Sequence, residues 1–223
     1  MDTRIWGKDG WKLYHSIAYG FSEEKSDAEA RHYKTFFEAT QFILPCIYCR
    51  RSYKKYIEMY PIDVSSRRAL TRWLYTIHNC VNDKLRKQGY SITTDPMLKE
   101  IDEMYKDKRY RGISGFTFLC FVLFNYTLDM SERRKKGYLQ FFESLQYILP
   151  CKQSRERYKE YIQENPLSDA INEAEEKGYL TPIKRWCHSL ERCVKVNCCS
   201  YKERCDKIEQ HRVSKCSGET CRK

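Results

Sequence analysis

Cys46 and Cys49 stand two residues apart, directly after Pro45 and before a stretch rich in tyrosine and basic residues. Thiols at that spacing can bridge, exchange with another thiol pair, or supply half of a zinc site. A proline at the first helical position would end the preceding helix and begin the next, placing both cysteines in its first turn. Unpaired backbone N–H groups and the positive end of the helix dipole there favour the thiolate, the attacking form. A zinc site needs a second ligand pair nearby, and none precedes Cys80. A thioredoxin-like motif needs a strand–helix–strand setting, and these flanks read as helical. Redox chemistry therefore leads, with metal binding and a buried structural pair as the alternatives.

Helices must position this pair. Asp9 can cap a first helix on which Trp11, Tyr14, His15 and Ala18 follow the i, i+3, i+4, i+7 rule, ending at Gly20. A second runs from Ser26 or Asp27 to Leu44 and stops at Pro45. The third carries both cysteines, then Tyr53, Tyr56, Ile57 and Tyr60, read as core packing, and ends before Pro61. Asp63, Ser65 and Ser66 offer caps for a fourth helix reaching Lys87, with Leu70, Trp73, Leu74, Ile77, Val81 and Leu85 as its apolar stripe. His78 and Asn82 lie beside that stripe, where burial demands hydrogen-bond partners. Asp95-Pro96 is expected to start a short fifth helix.

The 223 residues allow two small domains. With 9 Gly and 6 Pro against 18 Tyr, the chain points to helices rather than sheet or disorder. Its start lacks the apolar core of a secretory signal, and the longest apolar run, Phe116 to Phe124, is too short to span a bilayer. A soluble cytosolic protein is expected. Twelve cysteines conflict with that, unless the protein makes disulfides itself. The net charge of +11 is read chiefly as solvated helix faces rather than a nucleic-acid surface.

Trp11 and His15 on a first helix, then Pro45-Cys46-Ile47-Tyr48-Cys49, then Trp73 followed by His78-Asn79-Cys80-Val81-Asn82-Asp83-Lys84-Leu85-Arg86-Lys87 resemble the Erv/ALR flavin-dependent sulfhydryl oxidases over residues 5 to 90. The resemblance implies an all-α bundle of four helices plus a short fifth that binds FAD. It implies that Cys49 lies beside the isoalloxazine ring and that Cys46 exchanges with incoming thiols. It also implies that Trp11, His15, His78, Asn79, Asn82, Lys84, Leu85 and Lys87 contact FAD. The family often has a tryptophan after the fourth helix that helps close the pocket; here only Tyr105 and Tyr110 stand in that region. Substrates would be protein dithiols, with electrons passed to oxygen to give hydrogen peroxide. Members usually dimerise through their bundles, and a homodimer is expected. The chain is most similar to oxidases of large DNA viruses, which implies action in host cytoplasm or the virion.

The segment Phe36-Phe37-Glu38-Ala39-Thr40-Gln41-Phe42-Ile43-Leu44-Pro45-Cys46 returns 105 positions later as Phe141-Phe142-Glu143-Ser144-Leu145-Gln146-Tyr147-Ile148-Leu149-Pro150-Cys151, an internal duplication. The same offset places Tyr53 on Tyr158 and Pro61 on Pro166. After an insertion near Asn172 to Gly178, Trp73 falls on Trp186 and Cys80 on Cys193. The copy has lost the chemistry: Cys49 becomes Ser154, His15 Cys120, His78 Glu191, Asn79 Arg192 and Asn82 Lys195. Its first helix, apolar nearly all round, must fill the space a flavin would leave, form an interface, or both.

The expected organisation is an oxidase domain over 1-110, a degenerate helical repeat without FAD over 111-197, and a Cys-rich basic tail over 198-223. Cys198, Cys199, Cys205, Cys216 and Cys221 in the tail admit structural disulfides, a mobile shuttle pair at Cys216 and Cys221, or a zinc site with His211. The rival to the oxidase is a non-enzymatic helical assembly or nucleic-acid-binding protein with a zinc or structural cysteine site.

Overall fold

The computed structural model describes residues 3–92, 95–106, 115–195 and 198–213. Among these, the secondary structure is all helical: α1 (Thr3–Tyr19), α2 (Asp27–Ile43), α3 (Ile47–Met59), α4 (Arg67–Lys87), α5 (Leu98–Lys106), α6 (Phe116–Phe124), α7 (Glu132–Ile148), α8 (Lys152–Glu164), α9 (Leu167–Lys177), α10 (Thr181–Val194) and α11 (Tyr201–Val213).

Local chemistry sets most of the ends. Ser26 and Glu29 form a reciprocal capping box that starts α2, and Leu44-Pro45 stops it. Ser66 caps α4 through the Ala69 N–H at 3.0 Å. Lys84, Arg86 and Lys87 sit in its last turn, where the dipole favours cations.

Three boundaries differ from the sequence reading. First, α1 begins at Thr3, ahead of Asp9, because Trp6 is buried against Phe118 with ring centroids 5.7 Å apart, a contact from the far half of the chain. Second, α3 begins at Ile47 with Cys46 as its N-cap, so Pro45 precedes the helix and Cys49 is its third residue. Third, Asp95 does not cap α5: its carboxylate takes hydrogen bonds from Asn82 and Arg86. Glu100 reaches back to the Met97 N–H instead, and the helix starts at Leu98.

The duplication is visible bond by bond. Tyr53 donates to the Phe37 carbonyl and Tyr158 to the Phe142 carbonyl, both at 2.8 Å. Arg50 donates to the Leu44 carbonyl at 2.7 Å and Arg155 to the Leu149 carbonyl at 2.8 Å. The Trp73 indole donates to Tyr60 and that of Trp186 to Asn165, the residue at the same offset.

The copies meet across a local pseudo-two-fold axis. Helix α2 packs on α7, and at the centre Phe36 stacks on Phe141, its own counterpart, with centroids 4.5 Å apart. To either side the contacts come in exchanged pairs. His32 stacks on Tyr147 at 3.7 Å, while their counterparts Gly137 and Phe42 press together so closely that a Cβ on Gly137 would lie 2.4 Å from the ring. Likewise Gly10 meets Phe118, and Gly115 meets Leu13. One continuous core results, with Phe36, Phe37, Phe118, Phe141 and Phe142 nearly free of solvent. Such an isologous pattern is that of a symmetric dimer interface, here made within one chain.

Candidate functional site

The redox pair sits where α2 hands over to α3. Cys46 is 3% exposed, at the N-cap position, while Cys49 is part-buried one turn on. A hydrogen bond from the Cys49 thiol, helped by the N–H groups of Cys49 and Tyr48, outweighs burial and pulls Cys46 down to about 6. Donating that bond, together with burial and the charge on Cys46, pushes Cys49 up. Lys84, on the facing helix, works the other way on Cys49. The reduced pair therefore holds one thiolate, on Cys46, and one proton, on Cys49.

Beside Cys49 opens a cavity of about 260 Å³ between α1, α3 and α4. Of the residues expected at the cofactor, Trp11, Cys49, His78, Asn82, Lys84 and Leu85 line it. Trp11 and His78 stack at 3.8 Å with 15° between their planes. His15 lies behind, its Nε2 3.2 Å from Nδ1 of His78. Burial drives both imidazoles down, His15 to about 3 and His78 to about 4, so both are neutral. Tyr105 of α5 stacks on His15 at 5.3 Å, and neither ring is in the cavity wall. Tyr110 lies outside the described residues.

Asn79 and Lys87 are not in the cavity wall, and Lys87 is exposed. Asn82 spends its amide N–H on Asp95 at 2.7 Å. Sequence reasoning missed Trp6, Tyr14, Thr40, Ser52, Tyr53 and Tyr90, all in the lining. Tyr53 carried a signal, being one turn after Cys49 on α3, but periodicity alone reads that position as core.

The wall suits a flat, anionic cofactor. The Trp6 indole N–H and the Tyr90 hydroxyl line the cavity and, like Nδ1 of His15 behind it, are buried without a hydrogen-bond partner among the described residues. Arg4, Lys8 and Lys84 bring positive charge. Lys84 is held by a 2.7 Å bond to Ser52.

The second copy has no such arrangement. Burial works against the Cys151 thiolate, yet the Ser154 hydroxyl and nearby N–H groups hold that thiol below its ordinary value, with no second thiol at Ser154. Cys120, in the place of His15, has its sulfur 3.3 Å from that of Cys187. Glu191, in the place of His78, is fully buried and pairs with Lys195 and, across from α11, with Arg204. Helix α6 both fills its own bundle and packs on α1, α10 and α11.

Among the described residues no group of three His, Cys, Asp or Glu is placed to hold a metal ion, and no helix is long and apolar enough to cross a membrane. Cys216 and Cys221, read as a possible shuttle, lie outside the described residues.

Comparison with known proteins places these residues in a lineage. The Erv1 / Alr family matches residues 8–106. A probable FAD-linked sulfhydryl oxidase of Acanthamoeba polyphaga mimivirus is 29% identical over 119 residues, 52% of this chain and 82% of that protein. The mitochondrial FAD-linked sulfhydryl oxidase of Saccharomyces cerevisiae is 36% identical over 89 residues, 40% of this chain and 47% of the yeast protein. An FAD-linked sulfhydryl oxidase of African swine fever virus is 30% identical over 89 residues, covering 37% of this chain and 70% of the viral protein. The chain thus spans most of the viral relatives and about half of the yeast one. No solved structure matches.

Proposed function

Since the chain belongs to the Erv1/Alr family, we infer that it is an FAD-linked sulfhydryl oxidase, forming disulfides from thiol pairs with oxygen as the final acceptor. One observation carries this reading: the Cys46–Cys49 pair opens, through Cys49, onto an aromatic cavity with cationic side chains in its wall. Bound FAD would take two electrons from the dithiol and pass them to oxygen, giving hydrogen peroxide.

The residues of the chain do the rest. With the pair oxidised, a substrate thiolate attacks Sγ of Cys46, the S–S bond breaks, and Cys49 leaves as a thiolate. While Cys46 is held in the mixed disulfide it is uncharged and takes no hydrogen bond as a thiolate. The two Cys46-linked causes that hold the Cys49 proton then vanish, and Lys84 remains to stabilise its charge. A second substrate thiolate attacks the mixed disulfide, releasing the product disulfide and the Cys46 thiolate. Cys46 is then the thiolate again and Cys49, which lines the cavity, holds the proton; re-forming the Cys46–Cys49 bond releases that proton and the two electrons that bound FAD would take. Trp11 and His78 supply a stacked platform, and Lys84, Arg4 and Lys8 offer charge to a pyrophosphate.

We assign the oxidase domain to 1-110 and a flavin-free bundle to 111-197, with 198-223 as its tail. The buried Glu191–Arg204 pair at the position of His78 supports that division. A homodimer would use a face other than α2, since α7 of the same chain already covers it. The likeness to virus-encoded oxidases supports action in the cytoplasm of an infected cell.

The purified chain is expected to be yellow, with flavin absorbance, and to consume oxygen when dithiothreitol is added. Cys49→Ser should keep the colour and lose the uptake. A colourless protein without uptake would overturn the reading.

A further inference from the structure

A basic groove lies one turn along α3 from the redox pair. Arg50, Arg51 and Lys54 of α3 face Arg133 and Arg134 of α7 across about 260 Å³, and no carboxylate lines it. None of the four arginines forms an ion pair with a carboxylate among the described residues, while Lys54 reaches Glu58 of its own helix at 3.7 Å. Two of the arginines are fixed by backbone carbonyls at the end of α2: Arg50 donates to Leu44, its C-cap, at 2.7 Å, and Arg134 to Phe42 in its last turn at 3.1 Å. Arg133 lies over the Phe42 ring at 5.6 Å. The Arg50 N–H also donates to the Cys46 carbonyl at 3.0 Å, which ties the groove to the catalytic turn.

The arrangement costs stability. Burial and then the neighbouring Arg134 bear down on the Arg50 charge, against smaller support from Tyr138, Cys46 and Cys49. Arg133 and Arg134 occupy the first turn of α7, where the helix dipole disfavours cations. Like charges held together against local electrostatics call for an anion to offset them.

The duplication supplies an internal control. The pseudo-two-fold mate of this groove, about 350 Å³, is lined by Gln146, Tyr147, Arg155 and Lys159, the counterparts of Gln41, Phe42, Arg50 and Lys54. There Glu156 replaces Arg51, Glu29 replaces Arg134, and Ala28 stands at the counterpart of Arg133. The mate sets two carboxylates, Glu29 and Glu156, among three cations, Lys25, Arg155 and Lys159, and adjoins Cys151, which has no redox partner. The groove is uniformly basic only beside the working cysteine pair.

We propose that this groove docks an acidic segment of the thiol protein being oxidised, presenting its cysteines to Cys46. The purpose of the docking rests on the oxidase reading. Charge complementarity points to carboxylate side chains, and the recruitment is electrostatic, acting on encounter and on KM.

The test compares two labelled dithiol peptides, identical except that one carries Asp and Glu flanks and the other Asn and Gln. Fluorescence anisotropy with the full flavin-loaded chain is expected to show the acidic peptide binding about tenfold tighter at about 50 mM salt, with the advantage gone by about 500 mM. R51E/R133A, which inserts the residues of the mate groove, should bring the acidic-to-neutral ratio near one, for binding and for kcat/KM in oxygen uptake. The ratio is read within each variant, so a general loss of activity cancels. The single change R51E, on the exposed side of α3, should move the ratio the same way and guards against misfolding. Equal binding of the two peptides, a preference that survives R51E/R133A, or displacement of the acidic peptide by an oligonucleotide at lower concentration than by polyglutamate would overturn the proposal. Failure of the wild-type chain to oxidise dithiothreitol would overturn the oxidase reading instead, while the anisotropy still decides the docking.

Discussion

Trp11 and His78 lie face to face, 3.8 Å between ring centroids, and His78 is joined to His15 behind it by a 3.2 Å hydrogen bond. The cavity is thus backed by three connected rings across α1 and α4, two of them imidazoles that burial keeps neutral.

Stability should therefore fall in acid over a defined window. The histidines sit at about 3 and about 4 in the fold, against 6.5 when exposed. Below 6.5 the unfolded chain takes up protons that the folded chain refuses, so stability is full above 6.5 and drains away as pH falls towards 4. Melting temperatures of wild type and His78→Gln from pH 7 to 4 check this. The wild type should lose stability more steeply, and parallel curves would refute the assignment.

Alkylation of the reduced chain by iodoacetamide should report the Cys46 thiolate. Its rate is expected to rise through pH of about 6 and level off above it. In Cys49→Ala the principal hydrogen-bond donor is gone, so the midpoint should move up towards ordinary thiol values. Mass mapping of the alkylated residue identifies the site, and preferential labelling of Cys49 would contradict the assigned roles.

Gly137→Ala should loosen the contact between the copies. The new methyl would sit 2.4 Å from the Phe42 ring, in a core with no slack. A loss of about 1–3 kcal/mol is expected, seen as a lower denaturant midpoint. An unchanged midpoint would mean that the α2–α7 interface is not as close as described.

Glu191→Leu should cost about 3–5 kcal/mol by stranding the Arg204 charge against the second bundle. The double change E191L/R204L should recover most of that, because it removes both charges together. Urea melts of the two variants separate a needed ion pair from mere packing: if the double change fares no better than the single, the pair does not hold α11 in place.

The helices, the Cys46–Cys49 pair and the duplication were legible in the sequence because each is written in short spacings. The Ser26–Glu29 box, the stop at Pro45 and the stripe from Leu70 to Leu85 depend on residues within a turn or two of one another. Part of the cavity wall could be named for the same reason: His78, Asn82, Lys84 and Leu85 share one helix. Where the reading slipped, a distant partner intervened. Trp6 lengthened α1 by packing on Phe118, and Asp95 was drawn from α5 by Arg86 and Asn82.

What the sequence determined by itself was the chemistry available: two thiols at bridging distance, rings and cations for a flavin, and a second copy without either. Only the tertiary structure decided how the copies use each other. The α2–α7 axis sets Phe36 on Phe141 and seats Arg133 and Arg134 opposite Arg50 and Arg51. Those pairings join residues some 80 to 105 positions apart, and no local periodicity encodes them. They exist because burying the aromatic faces of two bundles against each other outweighs the cost of crowding charge at their shared edge.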